Sequence, residues 1–158
     1  MQDYTRKLII ATTTLCAFLI LCLPSAEAQR RRSPRARGYT RAEVNAIIKR
    51  AEDRSDEFVK LFDRALDRSG LDGTKREDRL NERARELEKT LDDLRREFDR
   101  KENYIETRPE VSRALNKAEE INQVMRRRRM GGETERQWGL LRAELNTLAD
   151  VYGLPLLR

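Results

Sequence analysis

The 158-residue chain has no histidine, and its two cysteines, Cys16 and Cys22, both lie in an apolar N-terminal segment. Loss of that segment as a leader leaves no thiol, disulfide or imidazole. Glu-x-x-His di-iron pairs and histidine-ligated haem are excluded on that ground. The available general bases and nucleophiles reduce to carboxylates and lysines. No Ser-x-x-Lys, Gly-x-Ser-x-Gly or phosphate-cradling glycine loop occurs. The acidic loop from Asp67 to Glu77 misplaces the glycine and ligand spacing of a calcium hand. Carboxylate pairs such as Glu86 with Asp93, or Asp92 with Asp93, are interleaved with arginines and read as surface ion pairs. The chain therefore reads as a non-enzyme with no cofactor and no metal.

Aromatic residues are few, at 6%, and beyond the first segment no β-branched run alternates with period two. What is abundant is charge, 39% of residues. Such a composition suggests disorder when apolar residues are scattered. Here they are phased. Leu80, Ala84, Leu87, Leu91, Leu94, Phe98 and Ile105 follow three-four spacing, the seam of a long helix packed on other helices. The fold class predicted is all-α: an antiparallel four-helix bundle, two helices long and two shorter, over residues 40–158.

Residues 1–28 have the form of a secretory signal peptide. Arg6 and Lys7 precede an apolar run over residues 8–23, Pro24 breaks it, and Ala26-Glu27-Ala28 supplies small residues for cleavage. The localisation implied is periplasmic or extracellular, with an uncleaved anchor over residues 8–26 as the alternative. Five arginines follow at once, Arg30, Arg31, Arg32, Arg35 and Arg37, and positive charge there resists export. Residues 29–39 contain no acid but include Pro34 and Gly38, the composition of a disordered basic arm. Of the +6 net charge the arm supplies five, so the remainder is near neutral.

Four sequences fit a helix-opening capping box, in which a threonine oxygen accepts a backbone N–H and the third residue reaches back. They begin at Thr40, Thr74, Thr107 and Thr134, and end at Glu43, Glu77, Glu110 and Gln137. Helix one is predicted from Arg41 to Ser69, with Val44, Ile47, Ile48, Ala51, Phe58, Phe62, Ala65 and Leu66 inward and Ser55 in a seam position. Gly70 is expected to end it in a left-handed turn. Helix two continues to about Glu106. Pro109 opens helix three, whose face is Val111, Ala114, Leu115, Ala118, Ile121 and Met125. Asn122 also falls on this seam; an edge position bonded to water is expected. Arg126, Arg127, Arg128 and Arg129 close the helix, where cations suit the dipole. Helix four carries Trp138, Leu141, Leu145, Leu148 and Tyr152. Leu154, Leu156 and Leu157 are expected to fold over the bundle end.

The segment Trp138-x-x-Leu141-Arg142-x-Glu144-Leu145-Asn146-x-Leu148-Ala149-x-x-Tyr152 resembles the tail of some uncharacterised secreted bacterial helical proteins. The resemblance covers about fifteen residues and implies no activity. Asn146, beside the stripe, is expected to hydrogen-bond between helices.

Two functions follow as expectations. One is a non-catalytic exported bundle acting by protein–protein interaction in the cell envelope, as scaffold, adaptor or chaperone-like factor. Its contact surface would be the tip of the first hairpin, where Phe62, Leu66, Leu71 and Leu80 keep the seam apolar beyond the reach of the shorter helices; the partner is another protein or a second copy. The other is an anchor binding anionic lipid or polysaccharide through the five-arginine arm and the cluster at Arg126, Arg127, Arg128 and Arg129. Nucleic acid fits only if the N-terminal segment is an uncleaved reversed anchor.

Overall fold

A computed structural model of the chain describes residues 38–158. The readings of residues 1–28 as a signal peptide and of the five arginines of the arm lie outside the described residues. Within them the chain is an all-α bundle: α1 (Arg41–Asp67), α2 (Lys75–Arg100), a 3₁₀ turn (Tyr104–Thr107), α3 (Arg108–Arg127) and α4 (Gly132–Val151). Helix α1 packs on α2 and α4, and α3 joins α2 to α4. Cross-helix pairs whose numbers run oppositely fix the directions as antiparallel: Lys117 meets Glu86 at 2.7 Å and Glu120 meets Arg83 at 3.6 Å, while Thr134 donates to the Leu61 carbonyl at 3.3 Å and Glu144 meets Arg50 at 3.1 Å.

The predicted faces are the core. Val44, Ile48, Phe58, Phe62, Leu87, Leu91, Leu94, Ile121, Leu141, Leu145 and Leu148 are fully buried. Leu61 joins them although it flanks the predicted stripe, because α1 has neighbours on two sides. Trp138 is buried as expected, its ring centroid 5.2 Å from that of Phe58.

The helix ends depart from expectation. Thr40 forms the full capping box: its oxygen accepts the Glu43 N–H, and Glu43 Oε2 accepts the Thr40 N–H at 2.8 Å. At Thr74 the first half is present, but Glu77 accepts from Gly73 instead, at 2.6 Å. Thr107 and Thr134 make no cap. Thr107 Oγ1 donates to the Tyr104 carbonyl and lies 2.8 Å from the Tyr152 hydroxyl, while Thr134 sits inside α4, which Gly131 opens at φ +92°. Both threonines are buried, so tertiary partners have taken the oxygens that local capping would use. The left-handed turn between α1 and α2 falls on Gly73, at φ +71°, rather than on Gly70.

Helix α2 ends at Arg100, six residues before the predicted limit, and Ile105 is exposed. The cause is Arg41. Its guanidinium donates to the carbonyls of Phe98 at 2.6 Å, Lys101 and Glu102, closing α2 from outside. The first hairpin is thus shorter than expected, 27 and 26 residues against 20 in each of α3 and α4. At 1.5 Å per residue the excess is about 10 Å.

That difference corrects the expected apolar tip. Phe62 and Leu66 are fully buried, Leu80 is 6% exposed and Leu71 is half-buried against the core. The N-terminus of α4 comes alongside Leu61, and Met130 of the α3–α4 connection is buried in the same cluster. No open apolar seam remains at the tip.

The C-terminal segment also takes another course. Asn146 accepts the Leu157 N–H at 2.8 Å and donates to the Leu157 carbonyl at 3.2 Å, while Asn122 donates to the Arg158 carbonyl at 2.6 Å. The tail therefore returns along α3 and α4 instead of closing the bundle end. Leu157 is buried and Leu156 is exposed. Asn146 holds this tail rather than a neighbouring helix, and Asn122 is buried rather than wet.

Candidate functional site

Antiparallel packing sets the N-terminal end of α2 beside the C-terminal end of α3, and both ends are rich in arginine. Arg76, Arg79 and Arg83 recur at three- and four-residue steps, which places them along one stripe of α2. Arg127 and Arg128 stand opposite. Between the two rows is an open cavity of about 660 Å³ with Leu80 and Val124 among its lining residues. Its one carboxylate among the described residues, Glu120, approaches Arg83 at 3.6 Å and Lys117 at 3.8 Å. Among the described residues no carboxylate pairs with Arg76, Arg79, Arg127 or Arg128.

Arg127 and Arg128 also line a second cavity, of about 360 Å³, between α3 and α4. Arg126, Arg129 and Arg142 add three more guanidinium groups there. Its single acid, Glu135, is engaged: Oε1 accepts the Met130 N–H at 3.2 Å, and Oε2 lies 3.9 Å from Arg129. Arg126 donates to the Arg158 carbonyl at 3.4 Å. Guanidinium groups in this arrangement offer planar pairs of donors that match carboxylate and phosphate oxygens.

The predicted cluster at Arg126, Arg127, Arg128 and Arg129 thus belongs to a larger basic surface, whereas Phe62, Leu66 and Leu80 belong to the core. Sequence reasoning did not single out Arg76, Arg79, Arg83 or Arg142. Their helical spacing was a usable signal, but only once α2 and α3 are paired end to end.

Two acidic groupings complete the polar surface. Asp67, Asp72 and Glu77 bring carboxylate oxygens within 4.8 Å of one another at the α1–α2 turn. Glu77 is already committed to the Gly73 N–H. Along the α1–α2 groove, Glu52, Glu88 and Asp92 surround Asp56. Partial burial raises the pKa of each of the three above its ordinary value, and the Asp56 charge adds to the rise.

No protein-family model, no curated protein and no solved structure matches the chain. Among the described residues, no helix is long and apolar enough to cross a membrane.

Proposed function

We propose that the chain is a non-catalytic binding protein whose working surface is the arginine-lined groove between α2 and α3, and that its partner there is an anionic macromolecule. The observation that supports this most directly is the imbalance at the groove. Five arginines, four of them without a carboxylate partner among the described residues, face Glu120 alone. Elsewhere on the bundle cations and anions interleave, as in Arg95 with Asp99, Arg100 with Glu97 and Arg113 with Glu110. A region of one sign raises the local concentration of opposite charge and speeds association. Association through an apolar hairpin tip loses its support, since Phe62, Leu66 and Leu80 are interior and Leu71 is half-buried.

The form of residues 1–28 supports export, which sets an envelope or extracellular polyanion against the groove rather than nucleic acid. N-terminal sequencing of the exported protein then begins at Gln29. The binding test is retention on an anionic matrix under a salt gradient. Arg79→Glu with Arg127→Glu is expected to elute well before wild type at unchanged helicity. Co-elution of the two proteins would remove the groove from the binding surface.

A further inference from the structure

The two arginine-lined cavities share a wall. Arg127 and Arg128 border both, so the basic surface passes from α2, across the end of α3, to Arg142 on α4. We propose that the pair forms one continuous track for a flexible linear polyanion bearing tetrahedral oxyanions, a phosphate or sulfate polymer. This rests on the reading of the groove as an anion site and adds the form of the ligand.

Three observations point to a chain rather than a small anion. The first is length. Arg76 to Arg83 covers about 10 Å of helix rise, and the path then crosses two helix spacings of about 8–10 Å each. A single phosphate satisfies one station and leaves the rest. The second is charge. Among the described residues eight arginines line the track against two carboxylates, and both carboxylates already hold partners. The third is helix polarity. The two positive N-terminal ends, of α2 and α4, flank the one negative C-terminal end, of α3, whose pole Arg126 to Arg129 offset.

The lining also selects against other polyanions. Single-stranded nucleic acid is held by stacking on exposed aromatic faces. Among the described residues the one aromatic bordering either cavity is Trp138, which is 4% exposed with its indole N–H bonded to Asn122. A bilayer surface requires a convex or flat contact with apolar residues to insert. Here the arginines ring concave sites, and the apolar lining at Leu80, Val124 and Met125 is buried or half-buried.

The test uses the full chain, with inorganic polyphosphate of defined length, triphosphate and heparin as probes in calorimetric titration. A companion protein with Arg30, Arg31, Arg32, Arg35 and Arg37 all changed to glutamine separates the arm from the track. Long polyphosphate is expected to bind far more tightly than triphosphate, with affinity falling steeply with salt, and the arm variant keeps this length dependence. Arg79→Glu and Arg142→Glu, at opposite ends of the track, each lower the affinity for the long chain about tenfold or more, as loss of a charge-assisted contact does. Circular dichroism checks folding, and Arg142→Gln replaces the reversal if that variant unfolds. Heparin binding with the same sensitivity assigns the shared oxyanion chemistry; polyphosphate binding alone assigns phosphate. Sensitivity to Arg79→Glu without sensitivity to Arg142→Glu or Arg142→Gln, or equal binding of triphosphate and the long chain, overturns the track and leaves the α2–α3 groove as a small site. Tighter binding of single-stranded DNA or phosphatidylglycerol vesicles overturns it as well. Failure of the arm variant to bind any of these probes overturns both the track and the groove.

Discussion

Trp138 donates its indole N–H to Asn122 Oδ1 at 3.3 Å inside the core, joining α4 to α3. The same asparagine passes its amide N–H groups to the Arg158 carbonyl and to Glu119, so one buried side chain ties two helices to the returning tail. Asn122→Leu strands the indole N–H and releases the tail, at a cost of about 2–4 kcal/mol from the unsatisfied groups. Trp138→Ala empties a large aromatic site and is expected to cost about 3–5 kcal/mol. Because the residues share a bond, the double variant should be less destabilised than the sum. Urea unfolding of the four proteins measures this. Strict additivity would show that the contact contributes nothing beyond packing.

A second prediction concerns Arg41. Its guanidinium lies 4.4 Å from the Phe98 ring centroid while donating to the Phe98 carbonyl in the last turn of α2 and to the carbonyls of Lys101 and Glu102 just beyond it. Planar stacking and a fork of donors are properties lysine lacks. Arg41→Lys is therefore expected to lose most of what Arg41→Ala loses, about 1–3 kcal/mol for hydrogen bonds to a charged group. Hydrogen exchange should locate the loosening at residues 98–103. Unchanged protection there in Arg41→Ala would show that α2 ends for local reasons.

Ser55 offers the opposite sign. It is fully buried on α1, and its hydroxyl has no hydrogen-bond partner among the described residues. Ser55→Ala removes a stranded polar atom and improves helix propensity. A gain of about 0.5–1.5 kcal/mol is expected. A lower denaturation midpoint in Ser55→Ala would reveal an unseen partner for the hydroxyl.

Much of this fold was legible because the apolar stripes are long and regular. Periodicity alone placed Leu80 to Phe98, Val111 to Ile121 and Trp138 to Tyr152 on inward faces. What local pattern could not supply was the use made of polar residues by distant partners. Thr107 and Thr134 look like caps in sequence but act as interior hydrogen bonders, to Tyr152 and Leu61. Ile105 keeps the seam spacing but falls in the turn after Arg41 has closed the helix. The basic surface was half visible. The four consecutive arginines stand out in any reading, whereas Arg76, Arg79 and Arg83 become their neighbours only through antiparallel register.

The last prediction concerns pH. Glu52, Glu88 and Asp92 are held above their ordinary pKa values, first by desolvation and then by neighbouring carboxylates, Asp56 among them for all three. Arg95, Arg85 with Lys60, and Arg96 respectively offset part of that rise. Raised acids bind protons in the native state before the unfolded chain does, so stability increases as pH falls through their folded values and levels off below the ordinary carboxylate range. Glu43 has the reverse sign. The Thr40 N–H and hydroxyl lower its pKa, so its contribution is full above the ordinary value and is lost as pH drops through the folded one. Thermal stability should therefore rise slightly as pH falls from neutral toward the ordinary carboxylate range and decline below that range, at about 4. Asp56→Asn relieves all three acids at once. At neutral pH it is expected to stabilise by a few tenths of a kcal/mol after solvent screening, and the gain should vanish near pH 4, roughly where ordinary carboxylates are half protonated. A gain equally large at both pH values would trace it to packing or helix propensity rather than to charge.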